Sequence, residues 1–494
     1  MTNSPLNLDE AGEWAGLWWL PDESDKQVPG ILRYDGEGGL SLSLIGAFEE
    51  LITSNPTSRW VMIHEDTRTW DVIHGVAECG EITLLDCIHD SLKSTMGVLG
   101  TRPDTQTVTP MMAVIGAHVS GEEDTVFAVA EVSVEDLTLW AASSVFERSL
   151  GVSDGRIDGT GTISAKPVEA QTATVDGTEY RLVHTHTLPF FDQRKSGTVG
   201  RMCDTASIRV CRDEPFSLSA ALKAARMMQD LIALATHRAA GVIWLRLEVA
   251  GTEPVLPGGQ PLPRRRADVL YSPVVLGKRD AKAVEAHRVF FTCEALPFDE
   301  IVPRWCEVHG RLKTATNMIL GLRYAPARFV ENNLLTAVGA AEVLHRGLDI
   351  DESPFPKSEF KEMCDAMLGQ VPEEHRDRFK GMIRNDPTLC DRLRAVAVRP
   401  DQEAIAQLVP DVDHWAKRTT RARNDLAHEG RTPNHSIDEL IAIVEATTAV
   451  VILNVLHELG LSIERQRQIV QEHPQFRAVS QKTSRWLVVP EPDS

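Results

Sequence analysis

The sequence lacks the features that mark membrane-spanning and secreted proteins. We find no run of about 18 apolar residues, and so expect no membrane span. The opening residues, MTNSPLNLDEAGEWAG, have neither a basic start nor an apolar stretch, so we expect no signal peptide. The eight cysteines are scattered, which is typical of reduced thiols rather than of a disulfide framework. These absences together predict a cytoplasmic protein.

The motifs of several common catalytic classes are also missing. The sequence contains no P-loop, and no G-x-S-x-G or G-x-G-x-x-G in a strand–turn–helix setting, so no motif supports ATP hydrolysis, esterase or dinucleotide chemistry. A zinc site could be sought at Cys79, Cys87 and His89 with His74. These residues lack a C-x2–4-C pair and lie in strand-like segments, so we interpret them as core and surface residues. We expect neither a metal nor another cofactor.

Basic charge is scarce over the chain as a whole. The 51 lysines and arginines face 71 aspartates and glutamates, which gives a formal net charge of -20. Such a surface repels phosphates and disfavours a protein that coats nucleic acid non-specifically. It still permits a small basic pocket for one phosphate. The basic run Arg264 to Arg266 is interpreted as a solvated loop rather than a nucleic-acid contact.

The pattern of apolar residues divides the 494 residues into a first half typical of strands and a second half typical of helices. Over the first 290 or so, short strand-like runs follow one another without long helical spacers, which predicts antiparallel sheet. Leu40, Leu42 and Leu44 alternate with serines after a DGEGG turn, and Trp14, Trp18 and Trp19 are interpreted as core. Only the stretch from Ser217 reads as a long helix there. From Phe298 helical periodicity takes over.

The predicted fold class is therefore α+β, with a β-rich antiparallel N-terminal domain followed by an all-α bundle. We place the first domain at residues 1–295, the helical domain at 298–461 and a loose polar tail at 462–494. A chain of this length is expected to form two or three domains.

A local concentration of basic residues stands out near the end of the helical half. The segment DVDHWAKRTTRARNDLAH is predicted to be the penultimate helix, ending before Gly430, and the next helix opens with a capping box from Ser436 to Glu439. Between Lys417 and Arg431 there are five basic residues and two acidic ones. Arg423 and His428 are five positions apart, about 140° around a helix, so they do not share a face. Both could point into one cleft only if something closes over the helix end, such as a second copy of the domain.

These residue types suit RNA cleavage without a metal. The ribose 2′-OH attacks the neighbouring phosphate, His428 moves a proton, and Arg423 stabilises the charge that builds on phosphorus. Asn424 would bind the phosphate or orient the histidine. The same residues also suit a simple helix terminus, because basic side chains are favoured near helix C-termini. The spacing by itself leaves both interpretations open.

A family resemblance bears on this choice. The segment RNDLAH resembles the R-x4–6-H motif of HEPN domains, and FVENNLLTAVGAAEVLHRG resembles the early HEPN helix that carries a glutamate, here Glu342. The N-terminal segments WWLPDESDKQVPGILRYDGEGGLSLSLIG and EVSVEDLTLWA resemble the N-terminal domain of ApeA-type proteins. The chain thus resembles ApeA-like HEPN proteins, which are associated with bacterial defence against phage.

The resemblance implies an endoribonuclease acting in abortive infection, with RNA as its substrate and no metal. It implies a homodimer through the HEPN domain, in which the basic residues form one pocket and the two motifs meet at a composite site. A phage-derived trigger would reach the N-terminal domain. The implied catalytic residues are Arg423, Asn424 and His428, with Glu342, His345 and Arg421 as supporting residues. The alternative is a non-catalytic HEPN dimer that senses a ligand or partner.

Overall fold

A computed structural model of the protein describes residues 4–48, 52–54, 61–63, 68–93, 104–251, 264–350 and 353–488. The chain forms two compact units. We call them the β-rich unit, Met1–Ala286 with Phe291–Pro303, and the helical unit, His287–Phe290 with Arg304–Ser494. This is the predicted order of a β-rich region followed by a helical one.

All eighteen described strands lie in the β-rich unit. They are β1 (Gly12–Trp19), β2 (Val28–Tyr34), β3 (Leu40–Ile45), β4 (Ile52–Ser54), β5 (Val61–Ile63), β6 (Thr69–Ala77), β7 (Gly80–Lys93), β8 (Thr105–Ile115), β9 (Phe127–Val134), β10 (Phe146–Ser153), β11 (Arg156–Ala165), β12 (Gln171–Val175), β13 (Thr178–His186), β14 (Phe190–Arg194), β15 (Gly197–Arg201), β16 (Asp204–Phe216), β17 (Val242–Val249) and β18 (Arg266–Tyr271). Its two helices within this span are α1 (Leu137–Trp140) and α2 (Leu218–Thr236).

Twelve of these strands form one sheet, in the order β12-β13-β16-β9-β17-β18-β8-β3-β2-β1-β6-β7. Strand β8 also pairs with β7, so β8, β3, β2, β1, β6 and β7 close into a six-stranded barrel. The pairs β4–β5, β10–β11 and β14–β15 are separate two-stranded hairpins. Every pairing between these strands is antiparallel, which confirms the prediction for this half.

The alternation seen in the sequence fixes the faces of β3. Leu40, Leu42 and Leu44 are buried, whereas the serines between them are partly exposed. The preceding DGEGG turn contains Gly36 at φ 76° and Gly38 at φ 103°, in the left-handed region that favours glycine.

The structure also shows which of the tryptophans, cysteines and histidines singled out above are buried and which are exposed. Trp18 and Cys87 are fully buried, whereas Cys79 is exposed. His74 Nε2 lies 2.9 Å from the Val119 carbonyl oxygen. In the described part of the chain, no three His, Cys, Asp or Glu side chains group together as metal ligands.

The helical unit is built from a series of mostly amphipathic helices. With the helix that leads into it, they are α3 (Phe298–Arg311), α4 (Lys313–Tyr324), α5 (Val330–Gly347), α6 (Lys357–Gly369), α7 (Glu373–Lys380), α8 (Leu389–Val398), α9 (Gln402–Leu408), α10 (Val412–Glu429), α11 (Ile437–Glu458), α12 (Ile463–Glu472) and α13 (Pro474–Trp486). Helices α3 and α4 are separated at Leu312, the N-cap residue of α4.

Helix α11 is the core of this unit. Its 22 residues have a mean hydropathy of 2.0 over the most apolar stretch, and it is the only described helix long and apolar enough to cross a bilayer. About four-fifths of that stretch, 78%, is buried inside the protein, where α4, α5, α8 and α13 pack around it. This burial is that of the central helix of a helical bundle.

The predicted loose tail at 462–494 is wrong for most of its length. Ser462 caps α12 by accepting the Arg465 amide, and α13 packs Phe476 and Val479 into the core beside α11 and α9. The segment is polar overall, but each of its two helices carries one apolar stripe, which is sufficient for packing. Residues 489–494 of the predicted tail lie outside the described residues. Helix α10 is therefore followed by three more helices and is not the penultimate one.

Candidate active site

Helix α10 carries the arginine–histidine motif, and its ends lie where the sequence predicts them. At its start, the Asp411 side chain accepts the His414 amide at 2.8 Å. One face, formed by Trp415, Ala416, Thr419 and Ala422, is buried. At its end, Gly430 adopts φ 69° and its N–H donates to the Leu426 carbonyl oxygen at 3.0 Å. The buried face fixes the rotation of the helix and so decides where the motif residues point.

Arg423 follows directly after this buried face and is half-buried. Its Nη1 donates to Asn424 Oδ1 at 3.2 Å, so two of the predicted catalytic residues are in contact. Its Nη2 lies 3.7 Å from Glu342 Oε2 on helix α5, as expected for a supporting glutamate. The side chain of Arg423 remains 35% exposed. The guanidinium is thus oriented by two side chains while part of it faces solvent.

Glu342 also contacts a second arginine that the sequence did not indicate. Arg392 lies on α8, and its Nη1 is 3.7 Å from Glu342 Oε1. Both distances exceed those of hydrogen bonds, so Glu342 compensates the two cations without occupying their N–H groups. The Nε of Arg392 is buried, and among the described residues it has no hydrogen-bond partner. Arg392 could have been found only from the packing of α8 against α5 and α10.

His428 lies in the last turn of α10, where it is exposed. It is five residues beyond Arg423, which is about 7.5 Å along the helix axis and about 140° around it. His428 and the half-buried Arg423 therefore face different directions on the same helix. A single copy of α10 does not direct the two side chains into one cleft.

Three of the other basic residues around the motif, Arg418, Arg421 and Arg431, have acidic partners. Arg418 Nη2 donates to Glu439 Oε2 at 2.7 Å, and this contact raises the pKa of Arg418. Arg421 and Arg431 lie 3.9 Å and 3.7 Å from the carboxylates of Asp425 and Glu429. The basic residues therefore do not all belong to one pocket, as the resemblance had implied. The cationic centre is formed by Arg423 and Arg392, and Arg421 lies outside it.

The same contacts correct the predicted capping box. Ser436 Oγ accepts the Glu439 amide at 3.2 Å, as predicted for the first half of the box. The Glu439 side chain, however, binds Arg418 instead of reaching back to the Ser436 amide. The carboxylate makes a charge-assisted pair there, which is stronger than a bond to a neutral amide. The start of α11 is consequently tied to the middle of α10.

The loop that follows His428 is held in place by short polar contacts. Asn434 Nδ2 donates to Asp425 Oδ2 at 3.1 Å, and His435 Nε2 lies 3.2 Å from the Arg418 carbonyl oxygen. Burial, followed by the charge of Arg418, lowers the pKa of His435. A carbonyl can only accept, so neutral His435 must carry its proton on Nε2. The loop therefore provides a defined boundary behind the exposed His428.

A pocket of about 520 Å³ adjoins the cationic centre through Arg392. Its walls combine basic, acidic and amide side chains, namely His345, Arg346, Asp349, Ile350, Ser353, Asn385, Asp386, Pro387 and Arg392. The predicted supporting residue His345 is buried and lines this pocket, one turn along α5 from Glu342. Mixed donors and acceptors of this kind suit a polar ligand rather than an apolar one.

The basic run in the β-rich unit is also compensated by acidic residues. Arg265 Nη2 lies 2.7 Å from Glu81 Oε2, and Arg266, the first residue of β18, lies 3.9 Å from Glu248. These contacts are consistent with structural roles for Arg265 and Arg266.

Comparison with known proteins covers both units. The family model described as ApeA N-terminal domain 1 matches residues 13–305, and the model described as Apea-like HEPN matches residues 335–465. The second range contains Glu342, Arg392 and the motif on α10. No curated protein matches the chain. A solved structure titled pT26-6p is 10% identical over 98% of this chain and 93% of its own, with a TM-score of 0.13, too low to carry a structural argument.

Proposed function

The chain belongs to the ApeA-like HEPN family, a defence-related class, and from this premise we propose that it is an RNA endonuclease that uses Arg423 and His428. The observation that carries the proposal is the state of Arg423. The Asn424 carbonyl and Glu342 orient its guanidinium, and a third of the side chain stays exposed to a ligand. A residue that served only to cap the helix would be expected to bind the carbonyl groups at the helix end.

The substrate's own 2′-OH is the nucleophile in this proposal. Its oxygen forms a bond to the adjacent phosphorus while the bond from phosphorus to the 5′-oxygen breaks. The products are a 2′,3′-cyclic phosphate and a free 5′-hydroxyl. Arg423 binds the non-bridging oxygens, whose negative charge grows in the transition state. Arg392 supports the proposal as a second cation, because Glu342 lies 3.7 Å from its Nη1 and does not occupy the N–H groups there.

The proton transfers are assigned to histidine. One His428 would remove the proton of the 2′-OH, and the other would protonate the departing 5′-oxygen. This division requires two copies of the motif, and the geometry of α10 favours the same conclusion because Arg423 and His428 point apart in one chain. We therefore propose a two-fold dimer through the helical unit, in which Arg423 of one copy works with His428 of the other.

The acidic character of the rest of the chain fits a defence role that must be controlled. A net charge of -20 limits binding of RNA outside the site. We propose that the β-rich unit receives a phage-derived signal and that cleavage by the helical unit then arrests the infected cell.

Cleavage of RNA by the purified protein in excess EDTA tests the chemistry. We expect fragments that end in 2′,3′-cyclic phosphate. His428→Ala should lower the rate roughly 10²- to 10⁴-fold, the usual range for a general acid–base group. His414→Ala is the matched control, since His414 lies on the same helix at its opposite end and should leave the rate unchanged. Arg423→Lys should fail substantially, because a point charge does not replace a planar fork on a phosphate.

No cleavage of RNA by the wild type would support the alternative, a non-catalytic HEPN scaffold. Equal cleavage by His428→Ala and the wild type, or activity abolished by EDTA and restored by Mg²⁺, would contradict the mechanism. A monomer at micromolar concentration in light scattering, with undiminished activity, would contradict the composite site alone.

A further inference from the structure

The β-rich unit contains a serine, a histidine and an aspartate in a hydrogen-bonded row. Ser143 Oγ lies 2.9 Å from His184 Nε2, and His184 Nδ1 lies 2.9 Å from Asp204 Oδ1. The side chains of His184 and Asp204 are almost fully buried, at 2% and 6% exposure. Ser143 is half-buried at the outer end of the row.

The direction of each hydrogen bond follows from the chemistry of the groups. A carboxylate can only accept, so the proton of neutral His184 resides on Nδ1 and is donated to Asp204. The lone pair on Nε2 is then left to accept, and the Ser143 hydroxyl is its donor. This is the polarity in which histidine removes the proton of a serine nucleophile.

Strand pairing and loop contacts hold the three residues in place. His184 on β13 pairs with Ala206 of β16, so Asp204, two residues away, is its diagonal neighbour on the sheet. The second oxygen of Asp204 accepts the Val145 amide at 3.1 Å and the Ser144 hydroxyl at 2.9 Å. These bonds hold the Asp204 carboxylate in place and fix the loop that carries Ser143.

The backbone at Ser143 suits a nucleophile. Ala142, the residue before it, adopts φ 51°, a left-handed conformation that is strained for a residue with a side chain. In the described part of the chain, the amides of Ser143 and Ser144 donate no hydrogen bond. They are therefore available to a negatively charged oxygen that forms when Ser143 attacks a carbonyl group.

Two exposed hairpins leave the fold beside this row. The hairpin β10–β11 begins three residues after Ser143, and β14–β15 forms the connection between His184 and Asp204. Both expose large apolar side chains, which include Leu150, Ile163, Phe190 and Phe191. Chain connectivity thus joins two apolar hairpins to the segments that carry the row, and this favours an apolar acyl group in the substrate.

We propose that Ser143, His184 and Asp204 form an acyl-transfer site that hydrolyses carboxylic esters with apolar acyl groups. Ser143 Oγ bonds to the ester carbonyl carbon, and the bond from that carbon to the alcohol oxygen breaks. The serine proton passes through His184 to the departing alcohol. Water then cleaves the acyl-serine, again with His184 as the base. The site is independent of the RNA cleavage proposed for the helical unit.

Labelling of the full-length protein with a fluorophosphonate tests this site. The probe's phosphorus bonds to the serine oxygen as fluoride leaves, so mass spectrometry identifies the modified residue. We expect one label per chain, on Ser143, and none in Ser143→Ala. His184→Gln, which retains a polar side chain, should slow labelling roughly 10²- to 10⁴-fold. Ser24→Ala, at an exposed serine outside both hairpins, is the matched control and should label like the wild type.

Several outcomes would overturn the proposal. No label on Ser143, a label on Ser144 instead, or equal labelling rates for wild type and a folded His184→Gln would show a purely structural hydrogen-bond network. Hydrolysis of p-nitrophenyl esters tests the acyl class. We expect a higher kcat/KM for the octanoate than for the acetate, and the reverse order would overturn the assignment of an apolar acyl group.

Discussion

Replacing Glu342 with glutamine would remove the one negative charge that Arg423 and Arg392 share. Each guanidinium has a nitrogen 3.7 Å from a carboxylate oxygen of Glu342. The glutamine keeps the size of the side chain and so tests the charge alone. The two arginines would remain close together with no counter-charge between them.

The expected loss of stability is modest. Two unit charges 3.7 Å apart attract by about 4 kcal/mol at an effective dielectric constant of about 20. Desolvation and solvent screening offset most of this, because Arg423 is 35% exposed and neither contact is a hydrogen bond. We expect about 0.5–1 kcal/mol for each pair, or about 1–2 kcal/mol in total. For a unit of this size, that lowers Tm by roughly 2–8 °C.

We expect Glu342→Gln to change both KM and kcat for RNA cleavage. Removing a negative charge beside the phosphate site strengthens attraction of the substrate, so KM should fall. Arg423 loses one of its two orienting contacts, so kcat should also fall, by about tenfold if the barrier from the bound complex rises by about 1.4 kcal/mol. Steady-state cleavage of a short fluorescent RNA measures both constants.

Glu331→Gln is the control for this variant. Glu331 lies in the first turn of α5, about 16 Å along the helix from Glu342, and changes the net charge equally. It should leave KM and kcat unchanged. If Glu342→Gln raised KM and left kcat unaltered, the carboxylate would be a substrate contact and the orienting role inferred here would be refuted.

Three further predictions concern stability. Burial lowers the pKa of His473 to about 4 from an ordinary 6.5, so folding favours the neutral imidazole. The free energy of unfolding should therefore fall as the pH drops from 6.5 towards 4, by at most about 3 kcal/mol. Urea titrations of His473→Gln should show a flatter dependence of stability on pH. Gly430→Ala should cost about 1 kcal/mol in thermal unfolding, because alanine resists φ 69°, whereas Gly430→Asn should cost less. The hydrogen bonds from Arg467 lower the pKa of the Asp401 carboxyl group. Asp401→Asn should therefore lower the free energy of unfolding by about 1 kcal/mol at pH 7. The difference in stability between this variant and the wild type should vanish as the pH falls below 3.8.

Local patterns explain the parts of the fold that the sequence predicted. The alternating leucines of β3 and the left-handed glycines before it depend on neighbours within a few residues. The same is true of α10, whose capping aspartate, buried stripe and terminal glycine all lie within one segment. Such signals survive without any knowledge of the tertiary structure.

The wrong predictions arose where composition obscured a local signal or tertiary contacts decided the outcome. Helices α12 and α13 are polar enough to read as a tail, and only their contacts with α11 and α9 show why they are ordered. Glu439 sits at the capping-box position, but Arg418 from another helix takes its carboxylate. Arg392 carries no motif, and its place beside Glu342 follows from the packing of α8 against α5.

The two candidate sites differ in how far apart their residues lie in the sequence, and so in whether a short motif can reveal them. Arg423, Asn424 and His428 lie within six positions of one helix, so a short motif can represent them. Ser143, His184 and Asp204 lie on a loop and two strands, and sequence separation conceals them. The lack of a G-x-S-x-G in a strand–turn–helix setting excluded one known way of presenting a serine, but it did not exclude the geometry that acyl transfer needs. That geometry depends on the pairing of β13 with β16: a shift of one residue would turn His184 to the opposite face, away from Asp204.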